Sequence, residues 1–105
     1  MSNDERAISV FREALAASNG AMVDVAVAAL SRFKDAGSIP LIAKACARLS
    51  PQSAEEVAIT AGRFDDPAVL DLLQRYVRDP ETREKVKKEW LDRRSKTEPL
   101  SDGKK

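Results

Sequence analysis

Histidine is absent from the 105-residue chain. Its absence excludes the Ser-His-Asp and Cys-His arrangements of nucleophilic enzymes, histidine-based acid–base catalysis and the usual zinc ligand sets. Chemistry based on carboxylates, lysine or arginine remains open. We therefore predict that the protein is not an enzyme and that it uses neither a cofactor nor a metal ion.

Cysteine, excess charge and long apolar runs are also scarce. The single cysteine allows no disulfide within the chain, and a formal net charge of +1 creates no overall attraction to nucleic acid or membranes. The first six residues lack the apolar segment of a signal peptide, and no apolar run approaches the ~20 residues needed to span a bilayer. These features predict a cytoplasmic protein that makes no membrane contact.

The sequence does contain an internal repeat. Residues 32–35 read RFKD, and residues 63–66, which lie 31 positions later, read RFDD. The apolar flanks follow the same offset, so that Ile39 matches Leu70. A period of roughly 30 residues is typical of solenoids, in which each unit buries its apolar side against its neighbours.

Apolar residues recur at helical spacing in six segments, and no segment alternates as a strand would. Asn19-Gly20 is predicted to end the first helix, and the third begins at Asp35 or Ser38, with Pro40 bending it if Asp35 is the cap. The last three helices open on a capping residue followed by proline, at Ser50-Pro51, Asp66-Pro67 and Asp79-Pro80. We predict an all-α fold, a short α-solenoid of about three antiparallel helix pairs.

The sixth segment differs from the others because its apolar seam is limited to Val86 and Trp90. Its remaining positions are mostly charged, and Glu89 and Arg93 are spaced for an ion pair. Such a helix suits the end of a solenoid, where the outer side meets water. We predict a helical domain over residues 1–94 and a disordered tail over residues 95–105.

These residues resemble HEAT repeats, in particular the short HEAT-like type found in phycobilin lyases. In that family a helix A and a helix B form each unit, and an Asp-Pro turn leads from helix B to the next helix A, which often carries a kinking proline. Residues 30–35 and 61–67 resemble the B-helix end and turn, and Pro40 resembles the kinking proline. The resemblance covers residues 22 to about 90. It implies a scaffold or adaptor and brings no catalytic residues.

Several residues are predicted to be structural. Phe33 and Phe64 occupy equivalent places in the repeat and are expected in the core. Cys46 lies on the apolar stripe of the third helix, where no histidine or cationic cluster lowers its pKa, so we expect a buried, inert thiol. The acids are better explained as helix caps and first-turn residues than as a metal or catalytic site; they are Glu55, Glu56, Asp65, Asp66 and Asp71.

The second helix is apolar on nearly every side although it belongs to the hairpin at one end of the stack. An end helix has few neighbours to bury it, so we predict that Val23, Val27 and Ala28 face a partner. Ile59 and Leu91 extend this apolar strip, and the HEAT resemblance implies that the B helices line the binding side. Two alternatives stay open: the small side chains pack on both the first and third helices, or the strip joins two copies of the chain in a homodimer.

The predicted function is therefore that of a protein-binding adaptor, inhibitor or assembly factor, and its rival is nucleic-acid binding by the last helix. Residues 83–96 contain seven basic and three acidic residues, a local net charge of +4. Basic side chains bind phosphates without any sequence motif. The residues predicted to do so are Arg83, Lys87, Lys88 and Arg94.

Overall fold

The computed structural model describes the backbone of residues 3–97 and the side chains of residues 3–95. Six α-helices and one short 3-10 helix lie within these residues, which contain no strand, and the all-α prediction with six helices is confirmed. The elements are α1 (Asn3–Ala14), α2 (Gly20–Arg32), the 3-10 turn (Ala36–Ser38), α3 (Ile39–Arg48), α4 (Pro51–Ala61), α5 (Ala68–Tyr76) and α6 (Pro80–Thr97).

The helices form three consecutive antiparallel pairs arranged in two layers. The A helices α1, α3 and α5 form one layer, and the B helices α2, α4 and α6 form the other; α4 packs against α2, α3 and α5. The protein measures 49 × 40 × 16 Å. Two layers of helices with axes about 9 Å apart and Cα radii of about 2.3 Å account for the smallest dimension.

The core lies between the layers, and α2, α3 and α4 contribute most to it. Small side chains such as Ala26 and Ala58 let the helices approach closely, and larger residues such as Leu30 fill the space between them. Val23 and Val27 are both 0% exposed. The prediction that these two valines face a partner is therefore wrong, because α1 and α4 cover α2 from two sides.

Local hydrogen-bonding chemistry sets most helix starts. The side chain of Ser50 accepts from the Ser53 N–H and Asp79 from the Thr82 N–H, as the capping prediction required. Asp66 accepts from the Ala68 N–H, but α5 begins at Ala68 with Pro67 in the N-cap place, so this helix starts one residue later than predicted. Asn19 is an exception to prediction. Instead of ending α1, which stops at Ala14, it caps α2 by accepting from two of its first N–H groups.

Pro40 does not bend a helix. The chain after Asp35 makes one 3-10 turn and then enters α3 at Ile39, so that Pro40 is the second residue of that helix. At this position the missing N–H removes no helical hydrogen bond. The backbone of residues 95–97 continues α6, so the domain boundary predicted at residue 94 is too early. The rest of the predicted tail and the predicted cap at Ser2 lie outside the described residues.

A left-handed residue ends α2. Lys34 has φ 57°, while the N–H of Asp35 bonds to the Leu30 carbonyl and the N–H of Lys34 to the Ser31 carbonyl. This is the Schellman arrangement, in which glycine usually holds the left-handed place. A lysine there carries the steric cost of a Cβ in the left-handed region.

Replacing Lys34 by glycine is therefore expected to raise the free energy of unfolding by about 0.5–1 kcal/mol. Urea denaturation monitored by circular dichroism measures the change. Lys34→Ala is the matched control, since it removes the same charge but keeps the Cβ, and it should leave stability nearly unchanged. Equal stabilities of the glycine and alanine variants would contradict this account.

Candidate functional site

Four large apolar side chains are strongly exposed among the described residues, and one of them lies halfway along α2, a helix of the B layer. Val25 of α2 is 64% exposed, whereas Val23 and Val27 on either side of it are buried. Alternate residues of a helix point to different sides, so burying the two flanking valines directs Val25 outward. The apolar residues on all sides of α2 did indicate that one side is exposed, but the prediction named Val23 and Val27 instead of Val25 as the exposed valines.

Two of the other predicted partner-binding residues lie on the same side as Val25. Ala28 follows Val25 by three positions in α2 and is partly exposed, and Ile59 is its counterpart in α4, also partly exposed. The two helices run in the same direction, because Gly20 and Ser53 approach each other near their starts and Thr60 donates a hydrogen bond to Asp24 farther along.

Two arginines stand at the end of this apolar strip. Arg32 and Arg63, equivalent residues of the repeat, are exposed at the C-terminal ends of α2 and α4. We call the surface formed by Val25, Ala28, Ile59, Arg32 and Arg63 the B-helix face. Both arginines belong to the RF motif of the repeat, but the sequence pattern assigns them no binding role.

Leu91, the fifth residue of the predicted strip, is separate from this surface. It is 48% exposed on α6. The shallow groove between α4 and α6 is lined by Ile59, Val86 and Glu89, among others, and Leu91 does not line it. Ala28 and Ile59 thus hold equivalent, partly exposed places on two parallel helices, whereas Leu91 does not line the groove beside Ile59.

Several other arginines hold the fold together. Arg48 donates to the carbonyls of Leu15 and Ala17 beyond α1, and Arg12 binds Asp35 through two nitrogens at 2.7 and 2.8 Å. Arg93 donates to the carbonyls at the end of α4. Arg48 and Arg93 thus supply donors to backbone carbonyls near helix ends that lack helical partners, whereas Arg12 ties α1 to the turn after α2 through a carboxylate.

The residues of the predicted phosphate-binding helix are divided between structural and exposed positions. Arg83 is partly buried and donates to the Val77 carbonyl at 3.0 Å, so its inclusion in an exposed phosphate site is wrong. Arg94 lies over the Trp90 ring, 5.3 Å from its centre. Lys87 and Lys88 are exposed.

A basic groove lies where the turns after α2 and α4 meet α6. Its volume is about 310 Å³, and its charged lining consists of four cations and two carboxylates. These residues are Arg32, Lys34, Arg63, Arg93, Asp65 and Asp66. The groove adjoins the B-helix face, which shares Arg32 and Arg63 with it.

The acids singled out in the sequence form no common site. Glu55 accepts from the Arg78 and Asp79 N–H groups, and Asp71 pairs with Arg75 one helical turn away. Asp65 pairs with Arg93, which contradicts the expected Glu89–Arg93 pair. Among residues 3–97 no three potential metal ligands come together.

Cys46 is buried between α3 and α4, with Sγ 3.8 Å from the Ala54 carbonyl oxygen. Burial away from water raises the pKa of the Cys46 thiol to about 11 from its ordinary 9.0. Since the thiolate is the reactive form, we expect thiol reagents at about pH 8 to modify the unfolded chain far faster than the folded protein.

The raised pKa also predicts a pH effect on stability. Between about pH 9 and 11 the unfolded state loses the Cys46 proton while the folded state keeps it, so stability should fall by up to about 1.4 kcal/mol per pH unit. Urea denaturation of the wild type and of Cys46→Ala over this range isolates the contribution of the thiol. Parallel pH dependences for the two proteins would exclude it.

The described residues 3–97 include no helix that is both long enough and apolar enough to cross a membrane. A comparison of the chain with protein-family models, with curated proteins and with solved structures found no match in any of the three.

Proposed function

We propose that this protein is a non-enzymatic adaptor built on a HEAT-like helical repeat, and that it binds a segment of another protein on the B-helix face. The observation that carries the proposal is the 64% exposure of Val25 on a surface whose other apolar members are partly accessible. An exposed valine alone is ordinary. Its alignment with Ala28 and Ile59 on adjacent parallel helices supports a binding surface.

The charges around the strip indicate what kind of segment fits. Arg32 and Arg63 lie at one end of the strip, whereas Asp24 and Glu56 lie nearer the starts of the same helices. A partner segment of complementary polarity has apolar residues at its centre, an acidic residue toward the arginines and a basic residue toward the acids. Charges placed in this way fix the direction of binding more than they add to affinity.

The anchoring energy is expected to come from a few apolar contacts. Complete burial of a valine side chain contributes about 1.5 kcal/mol, which corresponds to a change of about tenfold in affinity. Val25 has most of its side chain available for this, whereas Ala28 and Ile59 begin partly buried. Val25 is therefore the residue whose replacement should weaken binding most.

The experiment is a selection from a random peptide library displayed on phage, with the full chain as target. We expect the selected peptides to carry apolar residues beside acidic ones, to shift the backbone NMR signals of α2 and α4, and to bind Val25→Glu at least about tenfold more weakly. Val10→Glu is the matched control, because Val10 is 62% exposed on α1, outside the B-helix face, and should bind as the wild type does.

Peptides that bind Val25→Glu as tightly as the wild type, or that shift signals only on other helices, would overturn the proposal. Light scattering of the free protein distinguishes a second copy of the chain as the occupant. A dimer that Val25→Glu dissociates and Val10→Glu does not would assign the B-helix face to self-association and reject the adaptor function.

A further inference from the structure

Three cations of the basic groove form no ion pair. Arg32, Lys34 and Arg63 are exposed, and within residues 3–95 none of them forms a hydrogen bond or ion pair through its side chain. Arg32 and Arg63 come from consecutive repeats, so the stacking of two units brings them to one groove. Side chains of like charge held close together raise the local potential and favour an anion between them.

The two carboxylates of the groove offset these cations only in part. Asp65 pairs with Arg93 at 3.2 Å, and Asp66 accepts from the Ala68 N–H at 2.8 Å but keeps its negative charge. The four cations and two acids leave the groove with a formal charge of +2. This charge is the sum of the three cations Arg32, Lys34 and Arg63 and the single negative charge of Asp66.

The negative ends of α2 and α4 also point toward the groove and would weaken anion binding if their carbonyls were open. They are occupied. The Leu30 and Ser31 carbonyls accept the N–H groups of the turn after α2, and the Gly62 and Phe64 carbonyls accept donors from Arg93 and Trp90. The positive charge of the groove is thus only partly offset by the helix ends.

The conformation of Lys34 is a second, independent observation. Lys34 holds φ 57° in a turn where glycine would be less costly, and it lines the groove. A residue kept in an unfavourable backbone region can reflect a functional demand on its side chain. Here the lysine supplies a cation to the groove that glycine could not.

We propose that the basic groove binds a phosphomonoester dianion carried by a phosphorylated serine or threonine side chain of the partner protein. A phosphorylated side chain carries a charge of about −1.5 to −2, close to the opposite of the charge of the groove. Arginine forks match the geometry of phosphate oxygens, and clusters of arginines are the usual means by which proteins bind phosphorylated residues. The identity of the carrier rests on the proposed function, whereas the anion site does not.

The test uses isothermal titration calorimetry and backbone NMR of the full chain with four probes. They are inorganic phosphate, a short peptide with phosphoserine among apolar residues, and the same peptide with serine or glutamate in its place. We expect the phosphopeptide to bind and to shift the signals of residues 32–34 and 63–66. The serine peptide should bind at least about tenfold more weakly, and so should the glutamate peptide, which carries a single charge. Affinity should rise from about pH 5 to 7.5 as the phosphate becomes dianionic.

The variants separate this site from the adaptor surface. Arg32→Ala with Arg63→Ala should reduce phosphopeptide affinity by at least about tenfold, and Lys44→Ala with Lys85→Ala, which alters two exposed lysines away from the groove, should not. Val25→Glu should leave inorganic phosphate binding unchanged, so the anion site can succeed where the adaptor proposal fails.

Three results would overturn the proposal. The first is an equal affinity of the protein for the phosphoserine and glutamate peptides, or an equal affinity of the wild type and the Arg32→Ala/Arg63→Ala variant for the phosphopeptide. The second is inorganic phosphate binding as tightly as the phosphopeptide, which would assign the groove to the free ion. The third comes from a competition experiment with double-stranded DNA and inorganic phosphate as competitors. If DNA displaces the phosphopeptide at a lower total phosphate concentration than inorganic phosphate does, the groove binds nucleic acid.

Discussion

Replacing Trp90 by alanine is expected to lower the free energy of unfolding by about 3–5 kcal/mol. Trp90 is 3% exposed, and its indole N–H donates to the Phe64 carbonyl oxygen at 2.7 Å. The substitution removes the largest apolar contact of α6 and the best-placed donor to that carbonyl. Because the total stability of a domain this size is about 5–15 kcal/mol, the loss is a large part of it.

Far-UV circular dichroism in urea measures the effect, since Trp90 is the only tryptophan and fluorescence would disappear with it. Leu91→Ala is the matched control. Leu91 is the next residue of the same helix and 48% exposed, so its loss should cost less than about 0.5 kcal/mol. Trp90→Phe keeps much of the buried area but removes the indole N–H. Its loss of unfolding free energy should therefore be about 1 kcal/mol for the hydrogen bond, with a further loss for the smaller ring.

Hydrogen exchange then shows how the energy is distributed. The other attachments of α6 include Val86, which approaches Gly62, Arg93, which bonds to the turn after α4, and Arg83, which bonds to the Val77 carbonyl. A Cβ at Gly62 would lie 2.9 Å from a methyl carbon of Val86, so this close approach requires glycine. If Trp90 anchors the helix, the amides of α6 should lose protection before those of α2 and α4. Unchanged protection of α6 together with a stability loss below about 1 kcal/mol would show that it is held by other contacts.

The parts of the fold that were predictable depend on local chemistry. Ser50, Asp66 and Asp79 each precede a proline near a helix start, and the side-chain oxygen of each accepts from an N–H two or three residues ahead. Such bonds involve neighbours in the sequence. They identify helix starts regardless of what the helix later packs against.

The predictions that are wrong concern which neighbouring element covers a given side of a helix. The apolar pattern of α2 indicated burial on several sides, but whether Val23 or Val25 met the core depended on α4 lying beside α2. Arg93 shows the same effect. Its spacing from Glu89 fitted an ion pair, but the carbonyls and carboxylate of the turn after α4 lie within reach and bind it instead.

The candidate site was predictable only in part for a related reason. Ala28 and Ile59 were identified because the repeat offset places equivalent residues on one side of adjacent helices. The same offset places Arg32 and Arg63 together. What the sequence does not indicate is which charges remain after internal pairing. Arg12, Arg48 and Arg83 are arginines as Arg32 is, but their side chains bond to groups in turns and at helix ends.

The two phenylalanines of the repeat are expected to respond unequally to replacement by alanine. Phe64→Ala should cost about 3–5 kcal/mol because Phe64 is 2% exposed and belongs to the core. Phe33 is only partly buried, which makes its assignment to the core wrong. Phe33→Ala should therefore cost about 1–2 kcal/mol, since less apolar area is lost.

The difference has a structural cause in the neighbours of each turn. Phe33 lies at the end of the stack, where its ring meets Phe11 of α1 at a centroid distance of 6.5 Å and an angle of 39°. Phe64 lies beneath α6, and its backbone carbonyl holds the Trp90 indole. The two phenylalanines hold equivalent places in the repeat, but α6 covers Phe64 whereas only part of α1 covers Phe33.

Urea denaturation of the two single variants and of Phe11→Ala with Phe33→Ala tests this explanation. If the Phe11 ring is the main cover of Phe33, the double variant should be more stable than the sum of the single losses predicts, with a coupling of about 0.5–1.5 kcal/mol. Equal losses for Phe33→Ala and Phe64→Ala would mean that both turns are buried alike, and α6 would then have no special part in closing the second repeat.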